Sequence, residues 1–168
     1  FRRTRPSGQP ANLALLRVSA TSGALRSAFD PQTNGPIHDV ARSGGDLYAS
    51  GYFDRAGYGA GRAVAGLARF DAQGTGLELK AGFQAPRHYR SPDQRVTVLG
   101  DVVMVQGPGR PIFLDRFTGS RVVNPVDGYR LETDFAAMAG GSVVYVGRAY
   151  QPLGGSGYFP MSFVARGD

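Results

Sequence analysis

The sequence predicts an all-β protein made of four-stranded antiparallel sheets. Twenty-five glycines and eleven prolines among 168 residues oppose helix formation, because a helix interior loses about 1 kcal/mol for each glycine and about 3 kcal/mol for each proline. No window sustains apolar residues at positions i, i+3, i+4 and i+7, the spacing of an amphipathic helix. Short apolar runs alternate instead with Gly, Pro, Asp and Asn, the pattern of strands joined by tight turns.

The first predicted strands follow a basic segment. Residues 1–12 contain three arginines and two prolines, and we expect them to form an N-terminal arm or linker. Leu13–Val18 and Ala24–Phe29 are apolar runs, and Thr21–Gly23 between them has the composition of a turn. The two runs are therefore predicted to form a hairpin.

The stretch from Asn34 to Gly76 contains the clearest structural unit. Turns are predicted at Ser43–Gly45 and Asp71–Gly74, and a long glycine-rich loop at Asp54–Arg62. The predicted strands are Ile37–Ala41, Asp46–Tyr52, Val64–Phe70 and Leu77–Lys80. Because only short turns and one loop separate them, these strands are expected to pair as one antiparallel sheet.

Parts of this unit recur along the chain. GGDLYASG at residues 44–51 superposes without a gap on GGSVVYVG at residues 140–147, and LGDVVMVQ at residues 99–106 has the same turn and strand. The second half of the unit, a strand followed by a polar turn and a glycine, recurs at Leu15–Gly23, Leu67–Gly76 and Ile112–Gly119, with a further strand at Phe159–Arg166. A spacing of about 41 to 55 residues with four short strands per unit is typical of a β-propeller blade.

The repeats predict a propeller whose ring is incomplete within this chain. They place a half blade at 13–33, blades at 34–84 and 94–128, and a partial blade at 133–168. That makes about three blades, whereas closed propellers have at least four. We therefore expect the remaining blades of a longer chain, another copy or a protein partner to complete the ring. The alternative is a β-sandwich, whose short strands give the same spacing of turns.

Two segments resemble the bacterial delta-60 repeat β-propellers. VARSGGDLYASGYF at Val40–Phe53 resembles the hairpin of that repeat, and RAVAGLARFDAQGTG at Arg62–Gly76 resembles its following strand and turn. ALRSAF at Ala24–Phe29 resembles the polar last strand, which ends in Phe. The resemblance implies a bacterial propeller that is secreted, periplasmic or on the cell surface and serves as a scaffold or binding platform. It implies no catalytic residues.

The charge indicates which partners the chain can attract. The net charge is +6, and arginine supplies nearly all the cations, with Lys80 as the single lysine. An anionic surface polymer is therefore a candidate partner. Nucleic acid is disfavoured, because the cluster of Arg2, Arg3 and Arg5 is accompanied by neither aromatic stacking platforms nor a recognisable nucleic-acid-binding fold. No apolar run approaches the length of a membrane span.

No residue pattern points to catalysis, a cofactor or a metal. There is no Gly-x-Ser-x-Gly nucleophile motif, and the chain has no cysteine for thiolate ligation. The two histidines, His38 and His88, are 50 residues apart, so a structural zinc site would have to take its other ligands from carboxylates. Four aspartates are predicted to cap their own turns, as aspartate commonly does: Asp46, Asp71, Asp101 and Asp115.

Two glycine-rich loops with the same chemistry are the predicted contact surface. The first is Asp54–Arg62 and the second is Arg148–Tyr158. Each contains tyrosine and arginine, which are enriched among the residues that dominate binding energy at interfaces. The predicted partner-contact residues are Arg55, Tyr58, Arg62, Arg148, Tyr150 and Tyr158.

The sequence favours a non-enzymatic propeller segment. It would act as a scaffold or protein-interaction module in a bacterial envelope or extracellular assembly. One alternative is a propeller-type enzyme, glycan-active or dependent on a quinone cofactor, with its site in the central channel. Another is a module that binds polyanions, for which binding would weaken steeply with salt.

Overall fold

A computed structural model of the chain describes most of its strands. The described residues are 3–4, 10–11, 15, 17–26, 31–59, 61–73, 77–86, 94–107, 111–122, 130–139, 142–152 and 158–167. Within them every regular element is a β-strand, and all pairing is antiparallel. The prediction of an all-β chain is confirmed for this part.

The strands are β1 (Arg3–Thr4), β2 (Pro10–Ala11), β3 (Arg17–Val18), β4 (Leu25–Arg26), β5 (Ile37–Ser43), β6 (Asp46–Gly51), β7 (Arg55–Ala56), β8 (Arg62–Ala63), β9 (Leu67–Asp71), β10 (Glu78–Leu79), β11 (Arg95–Leu99), β12 (Val102–Gln106), β13 (Ile112–Asp115), β14 (Arg130–Ala139), β15 (Ser142–Pro152) and β16 (Tyr158–Gly167).

The central unit forms a four-stranded sheet in the order β10-β9-β6-β5. Its first turn is a two-residue hairpin, with Ser43 paired to Asp46 across Gly44 and Gly45. Gly44 has a φ of 57°, in the left-handed region that such hairpin turns require. The predicted strands of this unit are confirmed, with shifts of one to three residues at their ends.

Both faces of the four-stranded sheet are buried along strand β6. Leu47 and Ala49 lie on one face, where they pack with Phe70 and Phe53. Tyr48 points to the opposite face and has no exposed surface. A strand covered on both sides needs apolar residues at successive positions rather than at alternate ones, which explains the sequence Leu-Tyr-Ala in the middle of β6.

A three-stranded sheet, β11-β12-β13, packs against the Tyr48 face. The apolar cluster between the two sheets contains Tyr48, Leu67, Phe83, Val96, Val103, Val105, Ile112 and Leu114. A single bridge between Leu114 and Arg121 extends the second sheet by a fourth, minimal segment. Its far face is buried as well, around Met104 and Phe113.

Polar contacts join the four-stranded and three-stranded sheets at the end of their interface where the turns lie. The Tyr48 hydroxyl donates a hydrogen bond to the backbone oxygen of Arg116 at 2.8 Å. Arg69 Nη2 lies 2.8 Å from Asp46 Oδ2 in a mostly buried ion pair. The Phe117 ring lies beside two guanidinium groups, 5.3 Å from Arg69 and 4.6 Å from Arg116, distances at which a cation attracts an aromatic face. We call these five residues the turn-end clamp.

Different polar contacts close the opposite end of the interface. The backbone N–H of Val96 donates to Asp39 Oδ2 at 2.8 Å, which joins β11 to β5. Buried Gln94 donates through Nε2 to the Gly66 oxygen at 3.4 Å, and Ser50 Oγ donates to the Gln94 backbone oxygen at 3.5 Å. Polar contacts at both ends therefore limit sliding of one sheet over the other.

A third sheet contains three longer strands in the order β14-β15-β16. A bulge interrupts the β14–β15 register between Thr133 and Phe135. The first strands of the three sheets are neighbours, since β11 lies close to β5 and also to β14. Its first strand, β14, begins at Arg130, and the start of the last unit at residue 133 stays a prediction.

The N-terminal segment, predicted to be an arm or linker, contains a short ladder in which Arg3–Thr4 pairs with Pro10–Ala11. The predicted hairpin around Thr21–Gly23 is confirmed by pairing of Arg17–Val18 with Leu25–Arg26. Of its predicted strands, residues 13, 14, 16 and 27–29 lie outside the described residues.

We expect Tyr48→Phe to lower the free energy of unfolding by about 1 kcal/mol, because it removes one buried hydrogen bond. Burial raises the pKa of the Tyr48 hydroxyl above its ordinary value of 10.0. The folded state therefore holds a proton that the unfolded chain releases, so stability should fall as the pH rises above about 10.

Urea unfolding between about pH 8 and 11 measures both effects. The phenylalanine variant should lose less stability over this range than the wild type. Tyr52→Phe, at a tyrosine that is 54% exposed, is the matched control and should follow the wild type. An alkaline loss of equal size in the Tyr48→Phe variant would contradict the assignment.

Candidate functional site

A shallow groove of about 460 Å³ lies beside the hairpin β7–β8. Three sections of the chain meet there: the end of β7 with its glycine-rich turn, the start of β8, and the outer strand β10. The side chains around it are Ala56, Tyr58, Arg62, Leu77, Glu78 and Leu79. The volume falls within the range of small-molecule sites, but the groove is more open than such sites usually are.

The floor of the groove is continuous with the protein core. Ala56 and Leu77 are buried members of the apolar cluster that also contains Phe70. Leu79 is partly buried and packs against the same cluster. The floor therefore belongs to the close-packed core, to which both the hairpin and the four-stranded sheet contribute.

The rim of the groove is exposed and chemically mixed. Tyr58 is 67% exposed, the largest value among the exposed large apolar side chains of the described residues. Arg62 on β8 and Glu78 on β10 are also exposed. The rim thus offers an aromatic face, a guanidinium donor and a carboxylate acceptor above an apolar floor.

Glycines shape the turn that carries Tyr58. Gly57 has a φ of 89° and Gly61 a φ of 66°, in the left-handed region where a side chain is unfavourable. A Cβ at Gly57 would lie 3.3 Å from Leu79 Cδ2, and one at Gly61 would lie 3.3 Å from Arg55 Cβ. Glycine at position 57 lets the turn pack closely against β10, and glycine at position 61 lets the chain approach β7 of the same hairpin.

Asn34 anchors the base of the hairpin. Its Oδ1 accepts hydrogen bonds from the backbone N–H groups of Asp54 at 3.0 Å and Arg55 at 2.9 Å, and its Nδ2 donates to Asp54 Oδ1 at 2.6 Å. Its own N–H donates to the Arg55 oxygen at 3.1 Å. In the sequence Asn34 marks a turn in Asn-Gly-Pro, and nothing local indicates a contact with a segment some twenty residues away.

The structure brings together two of the three contact residues predicted in the first loop. Tyr58 and Arg62 line the groove, whereas Arg55 does not. The register explains the difference, because Arg62 pairs with Ala56 and Arg55 pairs with Ala63. Directly paired residues share a face of an antiparallel ladder, so the two arginines occupy opposite faces. The predicted loop Asp54–Arg62 is also partly wrong, since β7 and the start of β8 lie inside it.

The second predicted loop, Arg148–Tyr158, is wrong over its first five residues. Arg148 and Tyr150 lie within β15, where they pair with Glu132 and Arg130 on one side and with Ser162 and Pro160 on the other. Because β15 is paired on both sides at Arg148, the strand continues beyond this residue and ends at Pro152.

Tyr158 is the first residue of β16 and pairs with Pro152. Residues 153–157, which connect β15 to β16, lie outside the described residues. A contact role for Arg148, Tyr150 and Tyr158 stays a prediction.

Two of the four turn aspartates cap their turns as predicted. Asp71 Oδ1 accepts from the Gln73 N–H, and hydrogen bonding to Lys80 lowers the pKa of this carboxyl. Asp115 Oδ1 accepts from the N–H groups of Phe117 and Thr118, and the Thr118 bonds lower its pKa.

The other two aspartates face arginine side chains. Asp46 bonds to Arg69 within the turn-end clamp. Asp101 Oδ1 lies 3.8 Å from Arg116 Nε, within ion-pair range but too far for a hydrogen bond.

Among the described residues no three His, Cys, Asp or Glu side chains gather as a metal site would require. His38 lies exposed on β5, and His88 is outside the described residues.

No protein-family model, curated protein or solved structure matches this chain. In the described part of the chain, no helix has the length and apolar character needed to cross a membrane.

We expect Asn34→Ala to open the base of the hairpin without unfolding the sheets. The substitution removes the side-chain acceptor shared by the N–H groups of Asp54 and Arg55. Amide hydrogen exchange, followed by NMR, should show faster exchange at both amides. Gln84→Ala, at an exposed side chain of another segment, is the control and should leave these two amides unchanged. Unchanged protection in the Asn34 variant would show that the anchor lies elsewhere.

Proposed function

We propose that this chain is a non-enzymatic segment of a β-propeller that works as a protein-interaction scaffold. The groove beside Tyr58 is its contact surface. The resemblance of Val40–Phe53 and Arg62–Gly76 to delta-60 repeats supports a place in a bacterial envelope or extracellular assembly. The ring is completed by further blades, in the same polypeptide or from a partner.

Burial on both sheet faces supports blades rather than a two-layer sandwich. A sandwich has one inner face per sheet, and its strands alternate buried and exposed residues. Here Leu47 and Tyr48, neighbours on β6, are buried on opposite faces, and so are Val103 and Met104 on β12. Both faces of these two strands are therefore covered, as both faces of an internal blade are in a propeller.

The order of the strands also supports a radial arrangement. In each larger sheet the chain enters at an edge and adds strands outward, from β5 to β10, from β11 to β13 and from β14 to β16. The entering strands lie close to one another, β5 beside β11 and β11 beside β14. Such entering strands line the central axis of a propeller.

The rim of the groove carries the interaction role. The Tyr58 side chain is 67% exposed. The turn that carries it lies beside the buried floor of the groove. Arg62 lines the same groove. Exposed tyrosine beside arginine is the composition of interface hot spots, and a rigid platform reduces the entropy lost on binding. No observation of comparable weight favours an enzyme or a polyanion-binding module.

Spin labels can test the radial arrangement, since the chain has no cysteine to compete for labelling. Two pairs of exposed residues would be replaced by cysteine: His38 with Arg95 on the entering strands, and Glu78 with Arg121 on the outer edges. In a fan of blades the outer pair is farther apart than the inner pair. Electron–electron distance measurements should show this difference. Equal separations would indicate flat layers and contradict the propeller.

A photo-crosslinking amino acid at position 58 can test the contact surface. p-Benzoylphenylalanine in place of Tyr58 should form a discrete crosslinked product with a protein when the full chain is added to an extract of the producing cells. The same group in place of Tyr52, exposed to 54%, is the matched control. The proposal predicts the product at position 58 alone. Identical products at both positions, or none at position 58, would overturn it.

A further inference from the structure

The outer strand β10 has one backbone edge that no other described strand pairs with, and this edge lies beside the groove. β10 pairs with β9 through Glu78↔Asp71 and Leu79↔Phe70. The Lys80 N–H donates to the Arg69 oxygen at 2.9 Å, so the ladder continues one residue further.

Hydrogen-bonded and non-hydrogen-bonded positions alternate in an antiparallel ladder. Glu78 and Lys80 therefore direct their backbone groups towards β9, whereas Leu79 directs its N–H and C=O away from it. Within the described residues no strand other than β9 pairs with β10.

The neighbouring hairpin packs on the Leu79 side chain but does not pair with the β10 backbone. β7 and β8 form a separate two-stranded sheet with no ladder to β10. The groove between the hairpin and β10 is lined by residues from both sides, including Tyr58 and Arg62 from the hairpin and Leu79 from the edge. A free sheet edge that faces a groove is the site at which proteins take up an extended peptide as an added strand.

The side chains at the edge determine which peptide fits. Leu77 belongs to the buried apolar cluster, and Leu79 packs against it. An apolar peptide residue beside Leu79 would therefore add to the same cluster. Glu78 is exposed on the same strand, and a basic residue placed across from it would form a favourable cross-strand pair. Arg62 on the far side of the groove matches an acidic residue.

We propose that the β10 edge binds an extended peptide segment of a partner protein as a fifth strand. The segment carries a basic residue next to apolar residues that contact Leu77 and Leu79, and an acidic residue that reaches Arg62. Leu79 supplies the main-chain hydrogen bonds, and Tyr58 covers the added strand. This inference rests on the proposed function of the groove and adds the conformation and chemistry of the partner segment.

Selection from a displayed library of unstructured peptides of about twelve residues tests the proposal on the full chain. Enriched peptides should combine apolar and basic residues with one acidic residue. Selection against Arg62→Glu should replace that acidic residue by a basic one, because the charge it meets is reversed. Tyr58→Ala should weaken binding of an enriched peptide at least about tenfold, and the control Tyr52→Ala should change it by less than about twofold.

Amide exchange separates strand addition from other modes of binding. A saturating enriched peptide should slow exchange of the Leu79 N–H at least about tenfold. Dependence on Tyr58 without protection of the Leu79 amide would overturn strand addition and leave the groove as the contact surface. Failure to enrich any peptide would also overturn strand addition. Binding that is indifferent to Tyr58 would overturn both proposals.

Discussion

The packing of the four-stranded sheet on the three-stranded sheet depends on one side chain, Tyr48. It has no exposed surface and lies in the apolar cluster between the sheets. Its ring meets Phe83 edge-on at 5.8 Å, and its hydroxyl reaches the backbone of Arg116 on the turn that follows the neighbouring sheet. A residue with both an apolar body and a polar tip is needed here, because the interface changes from apolar to polar along that side chain.

Among the described residues, not every polar atom of the turn-end clamp has a hydrogen-bond partner. Arg69 and Arg116 each leave Nε buried without a hydrogen-bond partner among the described residues. Such a buried donor costs free energy, which offsets part of the gain from the Asp46 ion pair and the Phe117 contacts. The clamp does, however, define one relative position of the two sheets. Purely apolar faces would tolerate sliding more readily, since hydrophobic contacts are not directional.

The groove shows which parts of a site local sequence reveals. Tyr58 and Arg62 were identifiable because a glycine-rich segment with exposed-type aromatic and cationic residues indicates a surface turn. Leu77 and Leu79 were identifiable only as members of a weak strand, and Asn34 only as a turn residue. Their roles depend on contacts between segments twenty or more residues apart. The second loop was misplaced because Arg148 lies inside a ladder that pairs on both sides, and a single polar residue does not end such a strand.

The sequence by itself determined the all-β class, the turns and the strands of the central unit, because Gly, Asp and alternating apolar residues act through local backbone preferences. Only the tertiary structure decided that β6 and β12 are buried on both faces and that Arg55 and Arg62 occupy opposite sides of a hairpin. It also decided that one edge of β10 pairs with no other described strand. The physical reason is the same in each case. These features depend on ladder register and on which sheet covers which face, and both are set by contacts between residues that are distant in the chain.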